Sequence, residues 1–141
     1  MVSKLLNSKS PIVVVIGGGN GIGAATSILM SERGWYVVVA DIEKLSADKV
    51  VNEINGFSSF VDITNEKSVE KLSDVIEKKV GPVSALVVAA AKFQDIIPSE
   101  RLEIKLWESI FKVNLTGTFI SNRVFARKMI ERKFGSIVNI A

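Results

Sequence analysis

The sequence predicts an α/β fold, a doubly wound parallel sheet of about five strands with helices on both faces. Three observations predict it. The runs "IVVVI" at 12–16, "YVVVA" at 36–40 and "ALVVAAA" at 85–91 are continuously apolar, the pattern of strands buried on both faces. Between them, apolar residues recur at helical spacing, as at Ala47, Val50, Val51 and Ile54, which marks amphipathic helices. The two kinds of segment alternate along the chain, and such alternation builds a parallel sheet covered by helices.

The elements follow in order. Strand one is Ile12–Ile16, and a glycine-rich turn leads from it into a helix from about Gly21 to Arg33. Ile22, Ala25 and Leu29 recur at helical spacing and are read as its apolar positions, with Gly34 as a C-terminal stop. Tyr36–Ala40 is strand two. The helix carrying Ala47, Val50, Val51 and Ile54 ends at Gly56, and "FSSFV" is a weaker strand three. Thr64 or Asn65 caps a third helix that turns Val69, Leu72 and Ile76 inward, and Gly81-Pro82 breaks it. Strand four is Ala85–Ala91. Pro98-Ser99 announces a long helical stretch to about Arg132, with Leu102, Leu106, Ile110 and Val113 as its stripe and Gly117 as a kink or a joint. "SIVNI" is strand five. One domain spans 1–141, with no internal repeat, linker or low-complexity segment.

Composition excludes several functions. The chain has 48% hydrophobic and 23% charged residues and a net charge of +3, a globular balance. Lysines alternate with acids, as in "EKSVEKLSDVIEKK", so no basic patch argues for nucleic acid. There is no cysteine and no histidine. Thiol chemistry and a Ser-His-Asp triad are excluded within this chain, and no metal site is expected. "MVSKLLNSKSP" does not read as a signal peptide and no apolar run is long enough to span a membrane, so a cytoplasmic, non-membrane protein is expected.

The sharpest local feature is "IGGGNGIG" at 16–23, set between a buried strand and an amphipathic helix. Such a turn lets backbone approach a pyrophosphate, and the helix N-terminus offers it unpaired N–H groups and a positive dipole end. Gly17, Gly19, Asn20, Gly21, Ile22 and Gly23 are the candidate phosphate-cradle residues. Asp41 ends strand two, 18 residues beyond Gly23, where a Rossmann-type fold places a carboxylate to accept hydrogen bonds from the adenosine ribose. A 2′-phosphate there meets like charge, and neither Asn20 nor Ile42 supplies a cation. NAD is therefore expected in preference to NADP. A methyltransferase binds an adenosine ligand behind a similar turn and acid, and Asp41 as a mere helix cap is the plainer alternative.

Several motifs in order along the chain resemble the short-chain dehydrogenase/reductase family. The glycine segment is similar to the family's TGxxxGxG at Gly17, Gly21 and Gly23, and "VVVADIE" to its second-strand end. "VDIT" resembles the segment after strand three, which implies that Asp62 bonds the adenine amino group and that Ile63 packs on the ring. "WESIFKVNLTGTF" resembles the helix around an active-site asparagine, here Asn114. "GSIVNIA" resembles the strand that leads to the catalytic serine. These later motifs disfavour the methyltransferase. Two departures stand out. Ile16 replaces the family's threonine, and Val88-Ala89-Ala90-Ala91 replaces Asn-Asn-Ala-Gly, which implies weaker or shifted cofactor contacts at Ala89, Ala90 and Ala91.

The resemblance implies hydride transfer between a nicotinamide and a carbonyl or alcohol, with a tyrosine as acid-base, a lysine four residues on, a serine and an asparagine. A phenol needs a nearby cation to bring its pKa toward working pH. The single tyrosine is Tyr36, and no Tyr-x-x-x-Lys occurs. Asn114 alone remains of the catalytic set, and its expected role here is structural, joining two helical segments by side-chain to backbone bonds. The chain is expected to be the cofactor-binding part of such an oxidoreductase, truncated after strand five and inactive alone. A small-molecule substrate requires the missing part, and a non-catalytic NAD-binding module or one half of a split enzyme is the alternative. An open strand edge and thin cover over Phe119, Val124, Phe125 or Met129 imply association, including homo-oligomers.

Overall fold

The computed structural model describes residues 10–54 and 56–141, so most of the N-terminal stretch discounted as a signal peptide lies outside the described residues. Five strands form one parallel sheet: β1 (Ile12–Ile16), β2 (Tyr36–Asp41), β3 (Phe57–Phe60), β4 (Val83–Val88) and β5 (Ser136–Asn139), in the spatial order β3-β2-β1-β4-β5. The helices are α1 (Gly21–Glu32), α2 (Lys44–Ile54), α3 (Glu66–Lys79), α4 (Ile104–Phe111) and α5 (Thr118–Arg132). A 3₁₀ turn at Ser99–Arg101 precedes α4, and a π-helical segment, Lys112–Gly117, joins α4 to α5.

The continuous apolar runs are divided between the two faces of the sheet. Val13, Val15, Val37, Val39 and Val87 pack under α1 and α2, with Ala24, Ile28, Ala47 and Val50. Val14, Ile16, Val38, Ala40, Leu86 and Val88 pack under α3 and α5, with Val69, Leu72, Ile76, Val124, Phe125 and Met129. Both faces of β1, β2 and β4 are covered, so the period-2 alternation of these three strands disappears into nearly unbroken apolar runs, whereas β3 and β5 form the more exposed edges. The order reverses at β1: β2 lies on one side and β4 on the other. Parallel sheets open a crevice at the carboxyl ends of the strands where the order reverses, and the glycine turn stands there.

Three local expectations are corrected, and one open alternative is decided. Ile22, Ala25 and Leu29 face outward, Ile22 at 64% and Leu29 at 49% exposure, while Gly23 and Ser27 are buried. The helix is apolar on every side, so periodicity does not fix its inner face; close approach to the sheet does, and it selects the smallest residues. Of the two candidate caps for α3, Asn65 takes the role, its side chain accepting from the amides of Lys67 at 3.1 Å and Ser68 at 3.4 Å. Strand four begins at Val83 and ends at Val88. Its start is fixed because Val83 N–H donates to Glu77 Oε1 at 3.3 Å and Val83 C=O accepts from Arg132 Nη2 at 2.9 Å. Finally, Val124, Phe125 and Met129 are buried, and only Phe119 is exposed, at 57%. The α5 face that carries the first three turns onto the sheet and toward α3.

Gly117 closes the π-helical segment under strand three's exit. A Cβ there would lie 2.6 Å from Ile63 Cγ1 and 2.7 Å from Ile63 Cδ1. Gly117→Ala is therefore expected to destabilise the fold by about 1–3 kcal/mol, the usual cost of overpacking a filled core. In an Ile63→Ala background the same change is expected to be close to neutral. Urea unfolding of the two single variants and the double variant checks the coupling; additive losses would contradict it.

Candidate functional site

The turn between β1 and α1 is built by three different demands on glycine. Gly17 has φ +76°, and a Cβ there would lie 2.4 Å from the Ala90 amide nitrogen. A Cβ on Gly23 would lie 2.0 Å from Gly17 O. These two let the turn fold back on itself and rest against the end of β4. Gly21 differs: its φ is +53°, but a Cβ would meet nothing within 4 Å. Only its backbone conformation asks for glycine, and the space beside it is open.

The turn's N–H groups fall into two sets. Gly17 N–H and Gly18 N–H both donate to Ala40 O, at 2.8 and 3.2 Å, and Gly19 N–H donates to Asp41 Oδ2 at 2.9 Å. These three are fixed to the end of β2. Ala24 N–H makes the first intrahelical bond, to Asn20 O at 3.1 Å. Asn20 stands at the N-cap in extended geometry, yet its side chain caps nothing. The N–H groups of Gly21, Ile22 and Gly23 are left without a partner among the described residues. They point from a helix N-terminus, where the macrodipole favours an anion. Ile22 contributes its amide, for its side chain is largely exposed.

Asp41 ends β2 beside this turn, only 9% exposed. Its Oδ1 accepts from Glu43 N–H at 3.0 Å, so each oxygen has one backbone donor and capacity for a second bond. Ile42 projects outward at 63% exposure. Lys44, the nearest following cation in sequence, is paired with Asp48. Asp62 follows β3; its Oδ1 accepts from Thr64 N–H at 2.9 Å and Thr64 Oγ1 at 2.7 Å, leaving Oδ2 without a protein partner among the described residues. Ile63 is 5% exposed and turns its side chain into the core against Gly117.

Ala89, Ala90 and Ala91 carry the chain past β4. Ala89 N–H donates to Ile16 O at 2.8 Å, so the ladder to β1 outlasts the strand. Asn114 lies in the π-helical segment, and its amide pairs in both directions with Lys92: Lys92 N–H donates to Oδ1 at 2.7 Å, and Nδ2 donates to Lys92 O at 3.0 Å. The sequence expectation had Asn114 joining two helical segments. Its side chain instead ties the loop after β4 to the helix.

The family model for short chain dehydrogenase matches residues 11–141. The chain belongs to the short chain dehydrogenase family. It is 37% identical over 135 residues to an uncharacterized oxidoreductase of Thermotoga maritima, covering 92% of this chain and 52% of that protein. It is 34% identical over 140 residues to an NAD-dependent glycerol dehydrogenase of Listeria innocua, covering 98% and 55%. A 3-oxoacyl-(acyl-carrier-protein) reductase of Thermotoga maritima is 31% identical over 135 residues, covering 92% and 54%. Among solved structures, one described as ribose-5-phosphate isomerase from Brucella melitensis superposes with a TM-score of 0.90 at 33% identity, covering 93% of this chain and 51% of that one. A short chain dehydrogenase from Bacillus anthracis superposes with a TM-score of 0.85 at 25% identity, covering 92% and 56%. The chain spans about half the length of the curated relatives it matches.

In this member of the short chain dehydrogenase family two contributors escaped the motif reading. Gly18 lies inside the motif's variable stretch, yet a Cβ there would lie 2.8 Å from Val15 O. Lys92 was invisible because its partnership with Asn114 spans 22 positions. Tyr36 pairs with Ile12 at the start of β2, the end of the sheet remote from the turn, and burial pushes its phenol up. An acid-base phenol needs the opposite shift. Among the described residues no cluster of acidic side chains could hold a metal, and no helix is long and apolar enough to cross a membrane.

The glycine geometry separates two outcomes. Gly23→Ala is expected to prevent a native fold, since its Cβ would overlap backbone that cannot move away. Gly21→Ala is expected to fold, at a cost of about 1–2 kcal/mol for the left-handed conformation. Circular dichroism melts of both variants check this; equal losses would contradict the assignment.

Proposed function

We propose that this chain binds a nicotinamide dinucleotide, NAD in preference to NADP, as the cofactor-binding part of an oxidoreductase. The observation that carries the reading is the pairing of three unpartnered amides, Gly21 to Gly23, with the carboxylate of Asp41 at one sheet switch point. The amides would hold the pyrophosphate. Asp41 would accept from the adenosine ribose hydroxyls, Asp62 Oδ2 from the adenine amino group. Ile63 would offer the ring the outer side of its backbone, since its side chain is turned into the core. Ala89 to Ala91 would pass their backbone beside the cofactor. When bound, the dinucleotide supplies the hydride that moves to or from a carbonyl or alcohol carbon.

NAD preference rests on charge. A 2′-phosphate would face Asp41 and the nearby Glu43, while Ile42 offers no cation and Lys44 is already paired with Asp48. The NAD-dependent glycerol dehydrogenase among the relatives agrees with this reading. These residues by themselves lack a general acid-base, whose loss typically lowers a rate by about 10²–10⁴. The chain alone is thus a binder rather than a catalyst. Asn114 serves by holding the Lys92 loop. Substrate turnover, and any homo-oligomer or cytoplasmic setting, belong to the reading of the protein in which this part works.

Calorimetric titration with NADH, NADPH and S-adenosylmethionine, with a parallel check of particle size, tests the proposal. NADH is expected to bind more tightly than NADPH, and S-adenosylmethionine not to bind. Preference for S-adenosylmethionine would overturn it. Ile42→Arg is expected to raise NADPH affinity by about tenfold or more through a charge-assisted bond to the 2′-phosphate, with little change for NADH.

A further inference from the structure

The Asp41 carboxylate is bound into the turn whose ligand it is proposed to read. Gly17 and Gly18 share the carbonyl of Ala40, and the carbonyl of Asp41 itself accepts from Val61 N–H at 3.0 Å. Gly19 N–H, the next amide of the turn, is met not by a β2 carbonyl but by Asp41 Oδ2, at 2.9 Å in a buried setting. Gly19 is also wedged: a Cβ there would lie 2.9 Å from Asp41 Oδ2 and 2.8 Å from Ser46 Cβ, on α2. Oδ1 faces a second donor, Glu43 N–H. With N–H groups against both oxygens, an asparagine must turn its NH₂ toward one of them. Asp→Asn is thus not a conservative change at this position.

We propose that Asp41 is a positioning residue for the phosphate end of the site as well as for the ribose. It fixes the amide of Gly19, and through Asn20 it presets the first turn of α1 to receive pyrophosphate. The inference rests on the dinucleotide reading and adds a coupling to it. Released, Gly19 would leave a buried N–H unpaired, and the turn would move to satisfy it.

The sign of the effect separates this idea from simpler ones. By Coulomb's law alone, removing a carboxylate beside an anion site strengthens anion binding. If Asp41 reads only the ribose, it is irrelevant to a ligand with no ribose. The latch requires weaker binding instead. The test is amide-resolved NMR titration of the full chain with inorganic pyrophosphate, and separately with NADH, for wild type, Asp41→Asn, Asp41→Glu and Glu43→Gln. Amide exchange at Gly19 is followed alongside.

Asp41→Asn is expected to lower pyrophosphate affinity by about tenfold and to speed exchange of the Gly19 amide. Glu43→Gln, which removes a nearby charge and leaves the latch, is expected to leave that affinity unchanged or raise it. Asp41→Glu keeps the charge but displaces both oxygens, so it is expected to weaken pyrophosphate too; it carries the comparison if Asp41→Asn does not fold. Pyrophosphate bound by the folded Asp41 variants as tightly as by wild type, with Gly19 still protected, would overturn the latch while leaving the dinucleotide reading intact. Failure of wild type to bind either NADH or pyrophosphate would overturn both.

Discussion

The β1–α1 turn closes only because no side chain stands between Gly17 and Gly23. With a Cβ on Gly23 at 2.0 Å from Gly17 O, the helix would have to rise off the sheet. Everything at the site follows from that contact. It lays Gly23 and Ser27 against the sheet and brings Gly17 onto the backbone of Ala90. It also places the amides of Gly21, Ile22 and Gly23 at the end of the crevice. Ser27 Oγ donates to Gly23 O at 2.9 Å, so the buried hydroxyl is satisfied within the helix and needs nothing from the apolar sheet beneath it.

Much of the architecture was legible because the three inner strands, β2, β1 and β4, are covered on both faces. An unbroken run such as "IVVVI" has few alternatives, and the five strands, their order along the chain and the helices between them follow from it. What escaped has a common cause. The inner face of α1 is decided by how closely the helix approaches the sheet, and a helix apolar on all sides carries no moment to reveal it. The start of β4 depends on Glu77 and Arg132, which reach Val83 from other elements. The cover over Val124, Phe125 and Met129 comes largely from the sheet and from α3.

The site divides in the same way. Its glycines and Asp41 were legible from spacing, because a turn between strand and helix leaves few places for them. The second bond of each was not. Spacing singled out Asp41 but said nothing of its bond to Gly19, 22 positions away. Spacing likewise marked Asn114 but not Lys92. The π-helical segment helps to explain that partnership. One extra residue in the helical turn changes which way the backbone presents its side chains, and Asn114 there reaches a loop rather than the next helical turn.

Strand four then shows how a motif can lose its side chains and keep its frame. Where the family resemblance implies two asparagines bracing sheet and turn, this chain has Val88 and Ala89. Asparagines at a strand end would serve by hydrogen bonding to neighbouring backbone. Here the backbone does so directly: Ala89 N–H reaches Ile16 O at 2.8 Å, and Val88 O accepts from Ile140 N–H at 2.9 Å. Val88 itself is buried in the core under α5, a place where an asparagine would need partners for every polar atom. The exchange thus removes a polar requirement from the interior and leaves the ladder intact. Beyond it, Asn114 holds both polar backbone groups of Lys92. The stretch from Val88 to Lys92 is therefore fixed at both ends, and the crevice wall keeps its line without the side chains that the motif would supply.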